Sequence, residues 1–523
     1  LHISKIGRAV LVATVLLTIT AVAACERAGH QNTGGDGGTV ANEKQQQGNA
    51  SEAGAEADAK ANLTLKVDAG SELYPINPLF FGANTLFWID DDASMKDGEV
   101  AAQMKDLQVK LLRYPGGTVA DNFHWQDVKL DRTDRFPYED GPDKMSPDEF
   151  IALCRKVGAE PMIVVNTETW FAKGDVEGGA KEAADWVRYY NKEKGYGVKY
   201  WEIGNETYHH PIMSAEEYAG LVVQYSKAMK QVDPSIQIGV NGHWNAKDVG
   251  TKERVKPGKL QELLAAEESA SGKQENDKLK QLEKQLIDQD RLKGSPMWWP
   301  TVLDKAGESL DFAIIHWYFT PNQVKNIDTA VRELDQLIQG KLPGKHIPIA
   351  LTEWNSTQER NVTTEANHAL MIGEAMLRFL DGGVDMSEYW PFRMKSGKFT
   401  MLDYKTNNPG SFANLFKLLA SSLQGDRVAA SGLESQVYSF AARDKATGKL
   451  VVCLINRTNA DLQGVAIDLQ GFQANKASGK VLATQTVNAK SAVLKEQDAV
   501  LAKSEGQWTV GLPKLSMAVV QFE

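Results

Sequence analysis

The sequence predicts an α/β protein, a (β/α)8 TIM barrel followed by a C-terminal antiparallel β-sandwich domain. Three observations predict it. Eight short apolar runs alternate with amphipathic helical stretches, the pattern of a parallel sheet buried on both faces. Beyond about Gly425 the helical spacing stops and period-two segments succeed one another. The chain of 523 residues suits one barrel of roughly 250 residues or more together with a second, smaller unit.

Lys5 and Arg8 precede an uncharged run, Ala9 to Ala24, that is too short to span a bilayer comfortably and ends in Val22-Ala23-Ala24-Cys25. This is the layout of an export signal. Small residues directly before a cysteine resemble the lipobox of bacterial lipoproteins, which implies a signal peptide over 1–25, lipid on Cys25 and anchorage of an exported protein to a bacterial membrane. The alternative is an ordinary signal peptide with an incidental cysteine. Residues 26–61 are Gly, Gln, Asn, Glu and Ala without apolar periodicity, so they cannot bury enough surface to offset chain entropy and read as a disordered tether.

The barrel is expected over 62–424. Its strand candidates are Leu79–Phe87, Lys110–Pro115, Glu160–Val165, Tyr200–Gly204, Ile236–Asn241, Asp311–Tyr318, Ile347–Thr352 and Val384–Trp390. Between them, Pro147–Val157, Ala180–Lys194, Ala215–Val232, Thr329–Ile338 and Glu365–Leu380 return apolar residues at helical spacing. Ser146, with Glu149 three residues on, marks the start of the first of these helices. A charged insertion, 250–293, follows the fifth strand and reads as a solvated helix or hairpin, with a lid or subsite wall as the other reading. The sandwich is expected over 425–523, from Gln436–Ala442, Lys449–Asn456, Gly464–Leu469, Gly479–Thr484, Gln507–Val510 and Leu515–Phe522.

A formal net charge of −10 argues against nucleic acid as a partner and suits uncharged ligands. Cys154 and Cys453 fall in different predicted domains and read as buried thiols rather than a disulfide. No histidine and cysteine grouping has metal-ligand spacing, so neither a metal nor any other cofactor is expected.

In a parallel barrel the C-terminal strand ends converge on one face. Glu206 ends the fourth predicted strand and Glu353 the seventh, and a pair of carboxyl groups across a sugar-sized gap is sufficient to break a glycosidic bond. Around them stand Leu112-Arg113-Tyr114-Pro115-Gly116-Gly117, His124-Trp125-Gln126-Asp127, Gly204-Asn205-Glu206, His316-Trp317-Tyr318 and Glu353-Trp354-Asn355. In order and strand position these resemble the retaining glycosidases of clan A, and within it the α-L-arabinofuranosidases of family 51, over roughly residues 62–523. The resemblance implies Glu206 as acid/base and Glu353 as nucleophile. It implies that Arg113 sits near Glu353 and favours its ionised form, that Asn205 meets the sugar 2-hydroxyl, and that Tyr318 orients the nucleophile with His316 on the same strand end. Trp390, closing the eighth strand, is the candidate for stacking on a sugar. The resemblance also implies that Leu63–Val67 pairs into the sandwich, that oligomers occur, and that the substrate is a plant polysaccharide or oligosaccharide.

Two positions depart from the family pattern. Thr118 stands where asparagine usually follows the Pro-Gly-Gly turn, leaving Asn122 or a different sugar as the explanation. Phe81-Gly82-Ala83-Asn84 lacks the family's glutamate, leaving Asn84 to make that substrate contact. The alternatives are another clan A retaining glycosidase, an endo-xylanase or β-glycosidase, and a catalytically silent glycan-binding lipoprotein.

Overall fold

The computed structural model describes residues 63–88, 95, 98–131, 144–209, 213–246, 298–357, 364–394, 400–433, 437–484 and 493–523. The expected signal peptide with Cys25, the tether and the charged insertion lie outside them.

Twenty strands are described: β1 (Thr64–Pro75), β2 (Gly82–Asn84), β3 (Leu111–Tyr114), β4 (Phe123–His124), β5 (Lys129–Leu130), β6 (Glu160–Val165), β7 (Tyr200–Ile203), β8 (Gln237–His243), β9 (Phe312–Phe319), β10 (Ile349–Ser356), β11 (Val384–Tyr389), β12 (Asp426–Ser431), β13 (Val437–Asp444), β14 (Lys449–Asn456), β15 (Leu462–Gln470), β16 (Ala477–Ala483), β17 (Lys495–Asp498), β18 (Leu501–Ser504), β19 (Gln507–Leu512) and β20 (Ser516–Phe522). Eight close a barrel in the order β10-β11-β2-β3-β6-β7-β8-β9. Each overlaps one of the eight expected runs, and neighbours pair in parallel.

Side chains two apart on a strand share a face, and this stacks the barrel interior in layers. Leu111, Met162, Phe312, Ile314, Ala350 and Met386 form a buried apolar plug. Two residues further along the same strands come Arg113, His316, Thr352 and Glu388, all buried. An apolar floor therefore carries a charged layer. Covering helices form as the spacing predicts. Ser146 and Glu149 make a reciprocal capping box on Pro147–Val157, and Ser214 and Glu217 another on Ala215–Val232. The helix expected over Ala180–Lys194 is Val176–Val187 running into a π-helical turn, Arg188–Glu193. Helices Glu99–Asp106, Trp298–Ala306 and Ser411–Ser422 also form, beyond those expected.

The remaining large sheet runs β17-β16-β20-β14-β13-β12-β1-β15-β19-β18. Leu65, Val67, Val452, Leu454, Val465, Val510 and Val520 fill its own core. On the opposite faces of the same strands, Phe440, Val451, Cys453, Ile455, Met517 and Val519 join the core that covers the barrel. Asp381, at the end of helix Glu365–Gly382, accepts from Arg427 Nε at 2.6 Å and from the Tyr438 hydroxyl. β12, β17 and β18 are additional to the expected strands. β17 is exposed throughout and exists by pairing with β16, so it carries no apolar signal of its own.

Candidate active site

Local backbone geometry aims each carboxyl inward. Between β9 and β10 the register slips by one residue, with Leu351 opposite Ile315 but Glu353 opposite His316. This bulge at Thr352 re-aims the next side chain, so both Thr352 and Glu353 reach the interior. Glu206 stands on a turn after β7, with Gly204 at φ +73° and Glu206 itself at φ +48°. That turn is held from both sides. Asp121 accepts from the Asn205 amide at 3.0 Å and from Thr167 Oγ1 at 2.6 Å. Asn241 accepts from the Thr207 amide at 3.0 Å and donates to the carbonyls of Ile203 and Gly204 at 2.9 and 3.1 Å.

The two carboxyls meet. His316 Nδ1 lies 3.1 Å from Glu206 Oε1 and 3.8 Å from Glu353 Oε2. One oxygen of each carboxyl and a His316 ring nitrogen all lie within 4.8 Å of one another. The side chain of Glu206 keeps 20% exposure and that of Glu353 9%, so both are reachable from the barrel mouth. Tyr318 donates its hydroxyl to Glu353 Oε1 at 2.6 Å.

Arg113 is wholly buried and contacts the expected Glu353, but its main partner is different. Nε and Nη2 fork onto Glu202 at 2.7 and 3.1 Å, while Nη1 reaches Glu353 Oε2 at 3.2 Å. Nη2 also donates to Asn205 Oδ1 at 2.7 Å and Nη1 to Asn84 Oδ1 at 3.1 Å. Glu202 is a site residue that the motif reading passed over. Its signal was a carboxylate inside the apolar strand Trp201-Glu202-Ile203, since such a charge must be paired when buried. Asp121 and Thr352 were passed over as well.

Burial pushes the Glu353 carboxyl above the ordinary carboxylate range, and Glu206 adds to this, against the opposing pull of His316, Arg113 and the Tyr318 hydroxyl. Arg113 thus pulls Glu353 toward its ionised form, while burial and Glu206 outweigh that pull, and the guanidinium's fork serves Glu202. Burial disfavours a charged His316, yet Glu353, Glu202 and Glu206 together push its pKa up to about 9. Glu202, despite burial, is held below its ordinary value by Arg113 and His316. Burial raises Glu388 well above the ordinary carboxylate range, and neither of its oxygens has a hydrogen-bond partner among the described residues.

As an imidazolium, His316 donates through Nδ1 to Glu206 and through Nε2 to Thr352 Oγ1 at 2.9 Å. Asn84 requires a correction. It is fully buried, and its amide donates to the Thr352 and Glu388 carbonyls at 2.9 and 3.0 Å, so it braces the barrel wall instead of meeting substrate. Trp390 is half-buried after β11, its ring against Gly117, where an added Cβ would lie 2.8 Å away. Its carbonyl accepts from Asn355 at 2.7 Å.

A family model described as the α-L-arabinofuranosidase 1 domain matches residues 103–262. α-L-Arabinofuranosidase C of Emericella nidulans is 31% identical over 173 residues, which is 28% of this chain and 32% of that protein. The intracellular exo-α-(1→5)-L-arabinofuranosidase of Acetivibrio thermocellus is 26% identical over 298 residues, about half of each chain. The matched region thus spans about a third of the first relative's length and half of the second's. In fold, the α-L-arabinofuranosidase of Thermotoga maritima superposes with a TM-score of 0.65 at 19% identity, covering 88% of this chain and 99% of that one.

Proposed function

We propose that this chain, similar to the family 51 α-L-arabinofuranosidases in motif, sequence and fold, is a retaining glycoside hydrolase that removes α-L-arabinofuranosyl groups from plant cell-wall glycans. The observation that carries this reading is the meeting of Glu206 and Glu353, with one oxygen of each inside a 4.8 Å cluster. Retaining enzymes hold their carboxyls about 5–5.5 Å apart, whereas inverting ones leave roughly 6.5–9.5 Å for a water.

In the first step Glu206 gives its proton to the departing glycosidic oxygen while Glu353 attacks the anomeric carbon, forming a glycosyl ester. In the second, Glu206 takes a proton from a water that attacks the same carbon, which frees the sugar and restores the Glu353 carboxylate. Tyr318 orients the attacking oxygen. Asn205, its Oδ1 held by Arg113, has its amide NH2 left to meet the 2-hydroxyl, a contact that strengthens in an oxocarbenium-like transition state. Trp390 offers a face for the sugar.

A panel of aryl glycosides tests the reading. Hydrolysis is expected on the α-L-arabinofuranoside and absent for β-xylopyranosides and β-glucopyranosides, with the first-formed sugar keeping its anomeric configuration by NMR. Full activity of Glu353→Ala would end it. The proposal places this enzyme at a bacterial surface through lipid on Cys25, which palmitate labelling lost in Cys25→Ser would support.

A further inference from the structure

We propose that Glu202 is a positioning residue for the catalytic pair: it fixes the Arg113 guanidinium and, through it, sets the places of Glu353 and Asn205. A guanidinium is planar, so clamping one edge fixes the direction of every other N–H. Glu202 clamps the edge made by Nε and Nη2. The remaining N–H groups then point at Asn205 Oδ1, Asn84 Oδ1 and Glu353 Oε2. Glu202 Oε1 also lies 3.5 Å from Thr352 Oγ1, the residue at the bulge that turns Glu353 inward, and 3.7 Å from His316 Nε2. One buried carboxylate thus touches both cations of the site.

This divides the charges. Glu202 neutralises Arg113, which leaves the His316 imidazolium as the counter-charge of the Glu206 and Glu353 pair. Without Glu202, the arginine would be free to close on Glu353, and Asn205 would lose its fixed neighbour. The charged and titratable groups around His316 are Glu202 and Glu206 from the β7 end, Glu353 on β10, Glu388 on β11 and Arg113 on β3. His243 is its register neighbour on β8, and Tyr208 and Tyr318 are the adjacent phenols.

The inference rests on the proposed roles of Glu206 and Glu353, and its test separates the two. Glu202→Asp keeps the charge but withdraws it by one methylene; Glu202→Gln keeps the shape and removes the charge. For Glu202→Asp, kcat on an aryl α-L-arabinofuranoside should fall about 100-fold, the cost of misplacing a reacting group by about an ångström, with KM nearly unchanged and His316 still titrating near 9. For Glu202→Gln, 15N-histidine NMR, assigned with His316→Gln, should show His316 titrating about one pH unit or more lower, and the alkaline limb of kcat should move with it. Wild-type kcat in Glu202→Asp, or an unshifted His316 in folded Glu202→Gln, would overturn the proposal. If the wild-type protein cleaved no glycoside, the functional reading would fail, and the His316 titration would still decide whether Glu202 governs the site's charge.

Discussion

Glu206 carries its carboxyl on a left-handed residue, φ +48°, a conformation costing a non-glycine residue about 1–2 kcal/mol. The cluster of Asp121, Asn241 and Thr167 holds it there, which is how the proposed proton-transfer group comes to face Glu353. Glu206→Ala should lose nearly all turnover, and added azide should restore part of it on substrates with good leaving groups, because azide needs no general base. Loss that azide leaves untouched would remove Glu206 from that role; product analysis for the glycosyl azide checks it. Glu388 makes a second residue-level case. Its folded-state pKa is raised above an unfolded value of about 4.3. The folded form therefore retains a proton that the unfolded form releases. The stability linked to this group is whole below about pH 4 and is lost as pH rises toward the folded value. Glu388→Gln removes that loss, so its gain in Tm should be larger at pH 8 than at pH 4.5; equal gains would contradict the assignment. At this scale the sequence showed the carboxylates that end strands, because their motifs are compact. It did not show which carboxylate Arg113 would choose, because the fork to Glu202 joins strands far apart in the chain and depends on barrel closure.

Strands and turns translate these residues into position. Barrel strands were legible because both faces are buried and apolar runs result; β17 and the far half of β1 were not, since their partners, rather than their own side chains, make them strands. The expectation for β1 stopped at Val67, while pairing carries it to Pro75 through two irregularities in its register with β12. The β7 turn has a sharper requirement. Gly204 sits at φ +73°, and a Cβ there would fall 2.6 Å from Thr167 Oγ1 and 2.9 Å from Thr207 Oγ1. Gly204→Ala should cost more than about 1 kcal/mol of stability and about 100-fold in kcat, measured by thermal melts and steady-state rates. Ser146→Ala, which breaks the exposed capping box of Pro147–Val157, should cost about 1 kcal/mol while leaving kcat unchanged.

Across the whole molecule, barrel and sandwich share a core, because β14 turns Val451, Cys453 and Ile455 outward and Leu450, Val452 and Leu454 inward. Removing 425–523 would uncover apolar faces of helices Glu365–Gly382 and Ser411–Ser422, so a truncated barrel should aggregate, and calorimetry of the intact chain should show one transition. A soluble, active protein lacking 425–523 would contradict this. The place of β1 has a consequence during synthesis. Lys66 pairs with Ser431 and with Asp468, so this early strand has nowhere to dock until those late segments leave the ribosome. At about 5–20 residues per second, that is a wait on the order of tens of seconds, with an unpaired strand edge open to strangers throughout. A nascent chain of this design is a natural client for a chaperone.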